Sequence, residues 1–240
     1  MSSLNGVCLF KTARFIFWGV VERLHRAKPD KVLAAFGVHP YFAHRLAEGW
    51  LEELREKLVA NPRAIVGEIG LDKAAITPDT ARNEYDAQTT AFTAQFDLAV
   101  ELQRPISFHC VRAFGHVMTL FRQHALRYDQ LMRSGEEDKA RGTLPPAIIM
   151  HSFAGTVGGM ESLLSNKGRK GNIQERLYFS FSKIVNMRAP KTIDVIKAVP
   201  EDRLLIESDQ HSPAHGEEDL SRVCEIVAES SIHVRAPTLQ

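Results

Sequence analysis

The sequence lacks the features that mark several classes of protein. Its three cysteines lie far apart and form no CxxC pair, which argues against a disulfide framework and against a thiolate zinc site. Lysine and arginine (30) almost balance aspartate and glutamate (29), so no overall field attracts nucleic acid or membrane. The apolar run at residues 15–21 is too short to cross a bilayer. These absences favour a globular protein of a reducing compartment without a membrane partner. We expect a cytoplasmic location that can extend to the nucleus.

What the sequence has is a repeated alternation of short apolar runs and helical patterns. Six runs predict buried strands, at residues 32–38, 64–69, 105–109, 147–151, 177–181 and 203–207. Six patterns predict helices, at residues 46–60, 81–102, 113–132, 156–164, 191–198 and 219–229. This alternation predicts an α/β fold with a parallel sheet, either open and doubly wound or closed as a TIM-type (β/α) barrel. The composition fits one domain, which we expect to span residues 1–240.

Polar residues stand at the carboxyl ends of successive predicted strands. His39 follows FGV, Glu68 lies in VGEIGLD, His109 ends ISFH, His151 ends IIMH and Asp209 follows LLIES. Parallel α/β folds build their sites at this edge of the sheet. A single histidine at a strand end is more often structural than functional, so the hypothesis of a site depends on the recurrence of the pattern.

Imidazole nitrogens and carboxylate oxygens are the donors that bind Zn²⁺, Mn²⁺ or Mg²⁺. A carboxylate such as Glu68 can bridge two ions, and two ions about 3.5–4 Å apart can stabilise both the attacking and the leaving oxygen of a phosphodiester. We therefore expect one or two divalent ions and the hydrolysis of phosphate esters. Arg112, close behind His109, is a candidate for holding substrate phosphate.

Six motifs together resemble a known family, the TatD-type metal-dependent deoxyribonucleases within the amidohydrolase-like (β/α) barrels. They occur in the family's order, as FGVHP (36–40), VGEIGLD (66–72), PISFHC (105–110), IMHSFAG (149–155), YFSFS (178–182) and LLIESD (204–209). The combination of GEIGLD with HSF and ESD is specific, and the wording is most similar to a eukaryotic, fungal branch. The resemblance implies a single metal-dependent hydrolase barrel over residues 1–240 that acts on DNA as an exonuclease or deoxyribonuclease.

The resemblance also implies a role for each candidate residue. Glu68 would be the catalytic carboxylate that bridges two ions, and His109 and His151 would complete the ligands of the second ion. Asp209 would serve the first ion and the attacking water. His39 would line the pocket and contact a substrate phosphate.

The sequence departs from the family at its beginning. Family members start with a strand that ends in an HxH pair, whose histidines bind the first ion, and no HxH occurs in this sequence. Residues 6–10 offer a substitute strand with Cys8 as its only candidate ligand. We therefore expect a barrel incomplete at its first strand and short at its C-terminus, with an impaired first metal site. Two alternatives stay open: an inactive barrel that acts as a binding or scaffold protein, and metal-dependent hydrolysis of amides or lactones.

Overall fold

The computed structural model describes residues 8–11, 18–165, 173–210 and 216–235. The chain divides into two compact units, Met1–Ile148 (unit 1) and Ile149–Gln240 (unit 2). The expectation of one domain over residues 1–240 stays a prediction. None of the helices in the described ranges is long and apolar enough to cross a membrane.

Unit 1 alternates parallel strands with helices. Its elements are β1 (Cys8–Lys11), α1 (Trp18–Ala27), β2 (Val32–Phe36), a 3₁₀ helix (Pro40–Arg45), α2 (Trp50–Ala60), β3 (Ile65–Asp72), α3 (Tyr85–Glu101), β4 (Ile106–Val111), α4 (Phe114–Arg133) and α5 (Glu137–Arg141). The strand β5 (Ile148–Met150) begins at Ile148, which is the last residue of unit 1. Strands β1 to β4 pair in sequence order, and every pair is parallel.

Helices pack against the sheet of unit 1, and its central strand is buried along its whole length. All eight residues of β3 are buried, as expected for a parallel strand with both faces covered. Phe92 of α3 packs with its ring centroid 5.1 Å from that of Phe108 in β4, and Phe108 lies 6.4 Å from Phe121 of α4. This aromatic layer fixes α3 and α4 against the strands that carry the candidate ligands.

Unit 2 continues the same alternation. Its elements after β5 are α6 (Val157–Leu164), a 3₁₀ helix (Gln174–Arg176), β6 (Leu177–Ser182), α7 (Lys183–Asn186), α8 (Lys191–Ala198), a second 3₁₀ helix (Glu201–Arg203), β7 (Leu204–Glu207) and α9 (Gly216–Arg235). Strands β6 and β7 are parallel, with Phe179 opposite Leu204 and Ser182 opposite Glu207. The Thr156 side chain caps α6 and the Ser182 side chain caps α7, each by accepting a backbone N–H.

The predicted α/β class with a parallel sheet is confirmed. Each of the six predicted strands overlaps an observed strand, and the helix predicted at residues 191–198 has the bounds of α8. The substitute strand expected near residues 6–10 appears as β1, paired with β2 from Cys8 opposite Val32. The helix α1 was not among the predicted helices, because the run at residues 15–21 was considered only as a possible membrane span. The amphipathic helix begins at Trp18, inside that run.

Candidate metal centre

The strand ends of unit 1 bring four polar side chains together. His39 follows β2, Glu68 and Asp72 belong to β3, and His109 belongs to β4. The register of β3 against β4 shifts between Val66 and Ile69, so the ladder is interrupted around Glu68. Such irregularities change the direction of a side chain, and they are frequent beside active sites.

Two buried glutamines of α3 hold the ends of these strands. Gln95 accepts the N–H of Val38 at 2.6 Å and donates to its carbonyl at 3.2 Å. Gln88 accepts the N–H of Asp72 at 2.8 Å and donates to its carbonyl at 3.1 Å. Both side-chain amides therefore provide hydrogen-bond partners for backbone groups at the strand ends, and they fix the positions of His39 and Asp72.

The side chains in unit 1 form a compact donor set. Glu68 Oε1 lies 2.9 Å from Nδ1 of His109 and 3.8 Å from Nε2 of His39. The two imidazoles approach each other at 3.3 Å, between His39 Nε2 and His109 Nδ1. One donor atom from each of these three residues lies within 4.8 Å of the others, which suits a single cation. Asp72 Oδ2 faces the other side of His109, 3.2 Å from Nε2.

The surrounding carboxylates set the charge of this cluster. Burial lowers the pKa of His109, but hydrogen bonds to Asp72 and Glu68 and their charges outweigh burial and raise that pKa above its usual value. Burial raises the pKa of Asp72, but the hydrogen bonds with His109 and with the N–H of Ala74 outweigh it and lower that pKa. Two carboxylates beside one imidazole supply several acceptor oxygens, which favour the binding of a cation.

A second polar cluster lies in unit 2. His151 Nδ1 is 2.6 Å from Glu207 Oε2, and His151 Nε2 is 3.1 Å from Asp209 Oδ1. Glu207 also accepts the N–H of Ser152 at 2.8 Å, the hydroxyl of Ser152, and the hydroxyl of Ser180 at 2.8 Å. Asp209 has a φ of +54°, which aspartate tolerates better than most residues. His151 and Asp209 thus place one imidazole nitrogen and one carboxylate oxygen next to each other.

The structure groups the sequence-predicted residues in two sets. His39, Glu68 and His109 meet in unit 1, and His151 and Asp209 meet in unit 2. The sequence suggested His39 only as a phosphate contact, whereas its Nε2 also faces the donor atoms of Glu68 and His109.

Arg112 is exposed directly after β4 and has a φ of +52°. The backbone N–H of Lys73 donates to the carbonyl of Val111 at 3.0 Å. Lys73 follows β3 and Arg112 follows β4, so the backbones of these two basic residues lie side by side at the ends of neighbouring strands.

Sequence reasoning missed two carboxylates that contact the histidines. Asp72 lies in the motif VGEIGLD and Glu207 in LLIESD, and the sequence predicted no role for either residue. Both stand at the carboxyl end of a strand, which is the signal that found the other residues. The proposed ligand role of Cys8 concerns a side chain outside the described residues.

Comparisons with known proteins agree on one family. A model described as TatD related DNase matches residues 3–235. The Cut9-interacting protein scn1 of Schizosaccharomyces pombe is 26% identical and aligns with 88% of this chain and 81% of its own length. The 3'-5' ssDNA/RNA exonuclease TatD of Edwardsiella piscicida is 29% identical, over 78% of this chain and 60% of its own length. The chain thus spans about three fifths of that bacterial relative.

Solved structures show the same fold. The crystal structure of YjjV, a TatD homologue from Escherichia coli K12, superposes with a TM-score of 0.70 at 22% identity. The match covers 94% of this chain and 78% of that protein. This likeness confirms the predicted TIM-type fold class.

Proposed function

The chain belongs to the TatD related DNase family, and from that premise we propose that it is a metal-dependent hydrolase of phosphodiester bonds in nucleic acid. A relative that is 29% identical bears the name of a 3'-5' ssDNA/RNA exonuclease, which supports DNA or RNA as the substrate. The proposal extends that activity to a chain that spans about three fifths of this relative.

The observation that carries the proposal is the donor set of unit 1. Two imidazoles and one carboxylate place ligand atoms within 4.8 Å of one another, at side chains only 12% (His39), 8% (Glu68) and 18% (His109) exposed. These residues fit a divalent cation, and a mixture of nitrogen and oxygen donors suits Zn²⁺ or Mn²⁺ better than Mg²⁺. The carboxylate of Asp72 on the other side of His109 agrees with this assignment.

Each residue has a proposed task. Glu68 and His109 hold a cation in unit 1, and His151 and Asp209 offer the corresponding donors in unit 2. Asp209 also accepts a proton from the attacking water, because its carboxylate is partly exposed beside His151.

Substrate binding needs groups that recognise phosphate. His39 is partly exposed beside Glu68, so its Nε2 can donate to a substrate phosphate oxygen when that nitrogen does not hold the cation. Arg112 is exposed at the end of the neighbouring strand, and its guanidinium is suited to bind a phosphate through two parallel hydrogen bonds. A bound divalent cation supplies positive charge that stabilises the developing charge on the phosphoryl oxygens.

The test is nuclease activity on a short, 5'-labelled single-stranded DNA in the presence of Mn²⁺, Mg²⁺ or Zn²⁺. We expect Glu68→Gln to lower the rate by about a hundredfold or more, because it removes a charged donor from the cluster. The matched control is Glu101→Gln, since Glu101 lies in the same unit and pairs with Arg55 at the surface. This control should keep the parental rate.

Two results would contradict the proposal. Activity that survives a chelator, or that is equal in Glu68→Gln and the parent, would show that the cluster does not act through a metal. For the binding residues, Arg112→Ala and His39→Ala should raise KM more than they lower the affinity for metal. A loss of metal binding in His39→Ala would instead make His39 a ligand.

We also propose that the first metal site of the family is impaired in this chain. The supporting observation is the sequence itself, which contains no HxH pair. Mass spectrometry of the metal-loaded protein should then find one tightly bound ion per chain. Two tightly bound ions per chain would refute this, and would call for a search for substitute ligands.

A binding function without turnover is the second candidate. It is favoured by the missing HxH pair and by the similarity to a relative whose name describes an interaction with another protein, Cut9. If this candidate is right, the chain has no metal-dependent nuclease activity, and Glu68→Gln leaves its behaviour unchanged.

For the compartment, we propose the reducing cytoplasm. Cys110 and Cys224 are free thiols, and burial raises the pKa of Cys110 to about 11, so this thiol stays protonated and unreactive. Fractionation of cells that express a tagged chain tests this location against the nucleus.

A further inference from the structure

We propose that Glu207 and Asp72 are positioning residues, each of which fixes the orientation and the proton of one candidate ligand histidine. The inference rests on the proposed function, because it assigns the histidines to a metal. It adds two residues for which the sequence indicated no role.

Glu207 lies at the centre of a fixed hydrogen-bond network in unit 2. Its carboxylate accepts from the N–H and the hydroxyl of Ser152 and from the hydroxyl of Ser180. The carboxylate is therefore held in place before it contacts His151. Asn186 supports the same segment, because its Nδ2 donates to the carbonyls of Ser152 and Phe153 at 3.3 and 3.0 Å.

The position of Glu207 decides which nitrogen of His151 is available. Glu207 is fixed by its three other hydrogen bonds and lies 2.6 Å from Nδ1 of His151, so we assign the proton of the imidazole to Nδ1. The other nitrogen, Nε2, faces Asp209 Oδ1 at 3.1 Å, and together with that oxygen it would hold a cation. A carboxylate that holds the far side of a ligand imidazole also increases the basicity of the ligating nitrogen.

Unit 1 has a similar arrangement, in which the anchored carboxylate contacts Nε2 of the histidine and not Nδ1. Asp72 is buried, its Oδ1 accepts the N–H of Ala74 at 2.7 Å, and its Oδ2 lies 3.2 Å from Nε2 of His109. This leaves Nδ1 of His109 facing Glu68 at 2.9 Å. The two units thus hold their histidines by opposite nitrogens, each through an anchored carboxylate.

The test measures the affinity of the metal-depleted protein for Mn²⁺ by calorimetry, in the parent and in Glu207→Gln. We expect Glu207→Gln to bind about 10- to 100-fold more weakly, the effect typical of losing such a carboxylate behind a ligand histidine. Nitrogen-15 NMR of the imidazoles gives a readout without metal, in which the proton on Nδ1 of His151 should become less populated. Asp72→Asn should do the same to Nε2 of His109.

A double-mutant cycle separates positioning from general damage to the fold. In the background His151→Ala, the further change Glu207→Gln should have no effect on Mn²⁺ affinity, because its target is gone. An equal loss in both backgrounds, or an unchanged tautomer and affinity in Glu207→Gln, would overturn the proposal. If Glu207→Gln does not fold, Ser180→Ala removes one anchor of the carboxylate and should weaken binding in the same direction by a few-fold.

These outcomes are independent of the reaction. If the parent has no nuclease activity but the tautomers and the Mn²⁺ affinity change as described, the proposed function is wrong and the positioning role stands. If the parent is an active nuclease and the variants bind Mn²⁺ normally, the positioning role is wrong and the function stands.

Discussion

Gly70 is the residue at which one methyl group should do the most harm to this fold. It lies in β3 opposite His109 of β4, and its φ is +155°, which residues with a side chain rarely adopt. A Cβ at this position would lie 1.9 Å from the carbonyl oxygen of His109 and 2.7 Å from its carbonyl carbon. Because a close carbon–oxygen contact is about 3.3 Å, the backbone of β4 would have to move by roughly 1.4 Å.

The expected cost of Gly70→Ala combines two effects. The unfavourable backbone conformation costs about 1–3 kcal/mol, and forcing two paired strands apart costs about 1–3 kcal/mol or more, so we expect unfolding free energy to fall by about 2–6 kcal/mol. The displacement also moves His109, so metal affinity should fall in any protein that still folds.

Urea unfolding of three alanine variants measures these effects separately. Gly49 has a φ of +81° with nothing within 4 Å, so Gly49→Ala should cost only the conformational part, about 1–2 kcal/mol. Gly115 is helical with open space around it, so Gly115→Ala should be neutral or stabilising by up to about 1 kcal/mol. A Gly70→Ala protein as stable as Gly49→Ala would refute the strand contact on which the reasoning depends.

Three further variants test the packing and the charges. Glu22→Gln should lower the unfolding free energy by about 1–3 kcal/mol at pH 7, because the carboxylate accepts from Lys57 at 2.7 Å. That contact lowers the pKa of Glu22 below 4.5, so the difference should be complete above pH 4.5 and should disappear as the pH falls through the lowered pKa. Phe108→Ala should cost about 3–5 kcal/mol in urea unfolding, since it leaves a cavity in the aromatic layer of unit 1. Arg55→Ala should change the unfolding free energy by less than about 1 kcal/mol, because its partner Glu101 is exposed, and a larger loss would contradict the assignment as a surface pair.

The sequence by itself determined the class of fold and the strand ends at which the site lies. An apolar run such as residues 177–181 predicts a buried strand, because exposure of its large apolar side chains to water is unfavourable. Polar residues near the carboxyl ends of such runs lie toward one edge of a parallel sheet, which is why Glu68, His109 and Asp209 were found. These conclusions depend on local pattern alone.

Only the tertiary structure decided how the side chains meet. Gln88 and Gln95 look like ordinary polar positions of a helix, yet both are buried and hold the ends of strands that follow one another. The contacts of Asp72 and Glu207 with the histidines join residues that are 37 and 56 positions apart in the chain. Such contacts depend on strand register and on the direction of each side chain, and packing of the whole sheet fixes both. The sequence therefore predicted where the donors lie, and the fold determined which nitrogen of each histidine faces its partner.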